Sequence, residues 1–212
     1  MKEKKQLKIL KIIKEHVMNN KKDYIIIFLI FVIGIFSGVF FMNHLQETPK
    51  TEIMNYLNQF IEKFKGLEKV NNMELLKNSV IQNIGLAIMI WFFGTTVIGI
   101  PVVFAIVLYR GFCLGYTISL CITIMGLGKG ISFILVAVML QNILLIPAIL
   151  ALAVSGIKLY KSIVKDKTKE NVKIEILRHT VFSTIMLIIT VMASVIEVFM
   201  SINILKLVIK YF

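Results

Sequence analysis

The sequence predicts an all-α polytopic membrane helix bundle with five transmembrane helices, its N-terminus cytoplasmic and its C-terminus extracytoplasmic. Three observations lead there. First, 58% of the 212 residues are hydrophobic and only 17% are charged, against about 45–50% and about 25% in soluble domains. Second, the apolar residues form unbroken runs long enough to span a bilayer instead of alternating at a surface period. Third, the net charge of +12 comes largely from Lys between the runs, as positive-inside topology requires and a nucleic-acid-binding face does not.

Residues 1–23 carry eight Lys and three acids. Leu7, Leu10, Ile13 and Val17 recur near the helical period, with lysines between them. This cytoplasmic segment reads either as a basic amphipathic helix on an anionic leaflet or as a basic tail that fixes orientation. The apolar run after it is too long for a signal-peptide core, so the segment reads as a retained anchor. Residues 24–212 read as a single integral membrane domain. Its first span is 24–42 and contains Gly34 and Gly38, a GxxxG pair suited to close helix approach.

Loop 43–78 is polar, with five Lys and five Glu. Within it Ile53, Leu57, Phe60 and Phe64 share one helical face. This external amphipathic surface could rest on the bilayer or on a partner protein. The second span is expected at 80–109, interrupted by Gly94, Gly99 and Pro101 and closed by Arg110. The third run, 112–127, reaches only about 24 Å at 1.5 Å per residue, so a re-entrant segment is conceivable. Charge argues for a full crossing. The fourth span is expected at 131–157, and the 158–178 loop after it holds seven Lys or Arg and three acids, which belongs on the cytoplasmic side. The fifth span is expected at 180–205. Pro101 and Pro147 read as kinks inside their spans.

The motifs of soluble catalysis are absent from the sequence. No HExxH, P-loop or GxSxG occurs, and His16, His44 and His179 stand singly at the ends of apolar runs. The expectation is a protein with no catalytic residues, no metal and no cofactor. Cys113 and Cys121, eight residues apart on one helix, cannot pair. Glu197 is the one acid well inside a run. Gln141, Asn142, Thr95 and Thr96 fall at a similar depth, and these groups are expected to meet inside the bundle, either as interhelical glue or as a proton or substrate site.

The ordered set Gln82-Asn83-Ile84, Gly94, Gly99, Pro101, Tyr109-Arg110-Gly111-Phe112-Cys113-Leu114-Gly115-Tyr116 and Gln141-Asn142-Ile143-Leu144-Leu145-Ile146-Pro147-Ala148 resembles the stage II sporulation protein M family across nearly the whole chain. Where broader relatives carry His-Gly and Glu near the last motif, this chain has Gln141, Asn142 and Leu145, which favours the sporulation branch. The resemblance implies a membrane scaffold in endospore formation, in the mother-cell membrane at the septum. It would recruit peptidoglycan hydrolases for engulfment, with stage II sporulation proteins D and P as partners. Its interfaces would lie on the external loop and on the helix faces of Gly34/Gly38 and Gly111/Gly115. The competing expectation is a small transporter or channel subunit with a polar site near Glu197, for which a five-span chain would form a homo-oligomer.

Overall fold

The computed structural model describes residues 14–46, 51–55, 59, 72–96, 98–165 and 169–201. Among these the chain is helical apart from short turns, without strands. After a short helical stretch at 14–19 come α1 (Lys21–Asn43), α2 (Asn72–Gly94), α3 (Ile100–Met125), α4 (Leu127–Ala137), α5 (Met139–Lys165) and α6 (Lys169–Ile196), and α6 ends in a π-helical turn, Glu197–Ser201. Five segments are long and apolar enough to cross a membrane: Lys21–Asn43, Met73–Gly94, Ile100–Met125, Asn142–Val164 and Val172–Phe199. Leu7, Leu10 and Ile13 of the basic segment, Leu57, Phe60 and Phe64 of the loop, and the C-terminal tail lie outside the described residues. Ile53 is helical and half-buried.

Five crossing segments match the expected number, but their boundaries shift. The expected span 80–109 is two helices. Thr95 and Thr96 turn the chain after Gly94, and α3 starts at Ile100 with Pro101 in its first turn. Proline suits that position because its missing N–H has no partner in a first turn. Pro101 therefore opens a helix instead of kinking one. Arg110 does not close a span. It lies ten residues into α3, and the third crossing is 26 residues long, about 39 Å. The shortness of run 112–127 came from a misplaced start.

The expected span 131–157 also divides. Gly126, at φ +77°, takes the left-handed turn that L side chains rarely adopt. It folds the 11-residue α4 back on α3, with Gly130 against the Cys121–Ile122 backbone. Such a helix is about 16 Å long and too short to span. The chain breaks at Val138. There the Asn142 side-chain amide donates to Val138 O at 2.6 Å, while the Asn142 backbone N–H reaches the same oxygen only at 3.4 Å. A side chain competing for the i−4 carbonyl loosens a helix in this way. Pro147, by contrast, lies inside a continuous α5. Most of the expected 158–178 loop is helical, since α5 runs on to Lys165 and α6 starts at Lys169.

α5 is the hub. Two-thirds (67%) of its apolar window is buried within the chain, against 17–39% for the other crossing helices. Leu145 and the run Ala148–Ile157 are buried on all sides, as a helix apolar all round should be. Small residues there (Ala151, Ala153, Ser155, Gly156) admit neighbours closely. Gly156 faces Gly94 of α2, where a Cβ added at Gly156 would come to 3.0 Å from Gly94 Cα.

Candidate functional site

Two features gather the residues singled out from the sequence. The first is a reciprocal glycine contact between α1 and α3, which run parallel. A Cβ on Gly34 would collide with Leu108 O, and one on Gly38 with Phe112 O and, at 2.7 Å, Tyr116 N. From the other side, a Cβ on Gly111 would collide with Phe31 O and approach Gly34 Cα at 3.2 Å, and one on Gly115 would collide with Ile35 O. Each GxxxG is thus the floor on which the other helix's backbone rests. In a bilayer, where burying apolar side chains supplies little drive, such backbone approach is the main source of helix affinity. The contact extends outward to Phe41 against Phe112 and to a hydrogen bond from Ser119 Oγ to Asn43 Oδ1 at 3.1 Å. Gly94 makes the second close crossing, with Gly156, and Gly99 shapes the α2–α3 turn, where a Cβ would meet Phe93 O.

The second feature is a polar belt inside the bundle. Arg110 and Cys113 of α3, Asn142 of α5 and Glu197 of the π turn line one cavity of about 260 Å³. Arg110 and Glu197 lie within electrostatic reach of each other. The Ser79 hydroxyl of α2 donates to Glu197 Oε2. One turn along, Asn83 Nδ2 donates to Ser194 Oγ at 2.8 Å and to Ser79 Oγ at 3.4 Å. A charged group in hydrocarbon is costly unless it is paired or hydrogen-bonded, and this arrangement supplies both. The π turn widens α6 where Glu197 must face inward. Such turns recur at functional sites.

Asn142 and Glu197 therefore share a cavity, while the side chain of Gln141 lies outside the described residues. Thr95 and Thr96 do not join them. They sit in the α2–α3 turn and donate to Phe92 O and Phe93 O, because the helix ends at Gly94 and carries them out of the bundle. Arg110 joins instead. Ser79, Asn83 and Ser194 were not singled out for this role. The available signal was Asn83 and Ser79 one turn apart in an apolar run, which is informative only once α6 is known to lie alongside.

A third polar group sits at the opposite end of the bundle from Glu197. His179 is buried and hydrogen-bonded to Ser155 Oγ through Nδ1 at 2.8 Å. Buried Asp23 accepts from Lys161 Nζ at 2.5 Å, tying the start of α1 to the end of α5. His16 stacks on Phe182 at 4.2 Å and hydrogen-bonds Tyr24 OH through Nδ1 at 3.1 Å. Burial, then the charge of Lys158, then His179 push the His16 pKa down to about 4. None of these three contacts was legible as a site in the sequence. Among the described residues no group of three or more His, Cys, Asp or Glu comes close enough together to hold a metal ion.

The family model described as Stage II sporulation protein M matches residues 27–202, a range that contains both glycine pairs and the whole polar belt. No curated protein and no solved structure matches the chain. With a family model covering most of its length and five helices fit to cross a membrane, this chain belongs to the Stage II sporulation protein M family.

Proposed function

We propose that this protein is a membrane scaffold in endospore formation. In this reading it recruits and localises peptidoglycan hydrolases for thinning of the septal wall and engulfment of the forespore. The observation that carries the proposal is the family match over residues 27–202. The partners in this reading are stage II sporulation proteins D and P, and the site of action is the mother-cell membrane at the septum. Residues 24–212 act as one membrane domain and the chain is not an enzyme.

The packing supports a scaffold. Interlocked glycines hold α1 on α3, and α5 ties the remaining helices together, so the bundle presents fixed faces to a partner. Phe28, Phe36 and Phe40 of α1 point away from the bundle, free to meet lipid or a partner's helix. Charge supports the orientation. Lys14, Lys21 and Lys22 share an end of the bundle with Lys158, Lys161 and Arg178, since Asp23 pairs with Lys161. In this reading that lysine- and arginine-rich end faces the cytoplasm, with loop 43–78 and the C-terminus outside.

The test is deletion of the gene in a sporulating host, with septal membranes and tagged hydrolases followed by fluorescence microscopy. Membranes stalled at the septum, with hydrolases delocalised, are expected. Normal engulfment overturns the reading. Gly111→Leu should separate α1 from α3 and lose the complex. A second reading, a small transporter or channel subunit, is favoured by the cavity holding Arg110, Asn142 and Glu197. It requires Glu197→Gln to abolish function while partner binding persists, and normal engulfment in that variant removes it.

A further inference from the structure

A cavity lies at the cationic end of the bundle, between the 14–19 segment, the end of α5 and the start of α6. It measures about 450 Å³, within the roughly 300–1,000 Å³ range of small-molecule sites. Its lining is sorted by chemistry along the α6 axis. At the bundle's end stand Lys158 and Arg178, with Glu15 and Glu175 beside them. Deeper along α6 the wall is Val181, Phe182 and Ile185. From Arg178 to Ile185 is seven residues, about 10 Å of helix, so the polar mouth sits at interfacial depth and the apolar wall descends into the span. Val181 is exposed, which leaves the apolar wall open towards lipid.

The polar end is charge-balanced. Glu175 accepts from Arg178 Nη1 at 2.7 Å and lies 3.9 Å from Lys158 Nζ. A guanidinium has five N–H donors and an ammonium three, so these contacts leave donors on both cations. A further polar atom at this site has no hydrogen-bond partner among the described residues: the buried His16 Nε2. In the tautomer in which Nδ1 accepts from Tyr24 OH, Nε2 carries the proton and is a buried donor in the wall of the cavity, suited to a phosphate or ester oxygen. A purely anionic ligand would use the cations and the imidazole but meet the two carboxylates. A headgroup with both signs is complementary to the cations and to the carboxylates alike.

We propose that this cavity binds one glycerophospholipid with a phosphoethanolamine headgroup, its phosphate on Lys158, Arg178 and His16 Nε2, its ammonium on Glu15 and Glu175, and an acyl chain along Val181 and Ile185. The bound lipid then joins the 14–19 segment to α5 and α6.

The test is native mass spectrometry of the full-length protein in a non-ionic detergent, titrated separately with phosphatidylethanolamine, phosphatidylglycerol and phosphatidylcholine. One phosphatidylethanolamine should be retained in preference to the other two. Loss of one charge-assisted hydrogen bond weakens binding about tenfold, so Lys158→Ala with Arg178→Ala should weaken it at least that much. Val181→Trp, at an exposed position that leaves the core intact, should weaken it by filling the acyl wall. Equal retention of all three lipids, preference for phosphatidylglycerol, or unchanged retention in both variants overturns the proposal. So does competition by inorganic phosphate or glycerophosphoethanolamine at the lipid's own concentration, which would mark a site for a soluble ligand.

Discussion

Replacing Gly111 with alanine tests the reciprocal glycine contact directly. The added Cβ lands on Phe31 O, with Gly34 Cα and Ile35 N both at 3.2 Å. These are backbone atoms of a continuous helix and cannot rotate aside, so α1 must move away from α3. Overpacking of this kind costs about 1–3 kcal/mol. Removing a helical glycine returns about 0.8–1.0 kcal/mol through propensity, so the net loss should be up to about 2 kcal/mol. Gly85→Ala is the internal control. A Cβ there meets nothing within 4 Å, so that variant keeps the propensity gain without the clash. The difference between the two isolates the packing term. Both can be unfolded by SDS titration in mixed micelles and followed by the fluorescence of Trp91, the one tryptophan. Trp91 Nε1 donates to Thr180 Oγ1 at 3.3 Å, so it reports from the α2–α6 pair and senses global unfolding, not the substitution itself. If Gly111→Ala and Gly85→Ala unfold at the same SDS fraction, the α1–α3 approach is not as close as described and the reasoning fails.

Asn83→Ala should weaken the α2–α6 pair by about 0.6–1.7 kcal/mol, the span measured for hydrogen bonds between membrane helices; an unchanged SDS midpoint would remove Asn83 as a link. Lys161→Ala should destabilise more than Asp23→Asn, since the first leaves a buried carboxylate without its cation and the second removes the charge; the reverse order in the same titration would contradict the pair. The pH dependence follows from His16. Its folded pKa of about 4 lies below the ordinary 6.5, so its contribution is complete above about pH 6.5 and is lost as pH falls through about 4. Hydrogen exchange of residues 14–20 should therefore rise on acidification, and His16→Gln should flatten that response. Glu197→Leu should be tolerated less well than Glu197→Gln, because only glutamine keeps an acceptor for the Ser79 hydroxyl.

Much of this architecture can be read from one dimension. Hydropathy together with the distribution of Lys and Arg counts five crossings, since each run must satisfy its backbone internally and only a helix does so within a single segment. The spacing of Gly34 with Gly38 and of Gly111 with Gly115 marks faces built for close approach. Glu197 stands out because one carboxylate in an apolar run is conspicuous. Helix ends are less legible. From Val80 to Leu127 the chain is apolar almost throughout, and mean hydropathy cannot tell a turn at Gly94–Gly99 from a kink. Placing the break after Tyr109 made Arg110 a terminal residue when it belongs near the middle of α3.

What the sequence by itself determined is therefore the number of crossings, the small-residue faces and the presence of a buried acid. The tertiary structure decided which faces meet. Ser79 and Glu197 are 118 residues apart and Asp23 and Lys161 are 138 apart, and no local period encodes such distances. The physical reason is that lipid tails solvate any apolar helix face equally well. Pairing in the membrane then rests on shape and on a few hydrogen bonds, and these become visible only when the partner helix is in place.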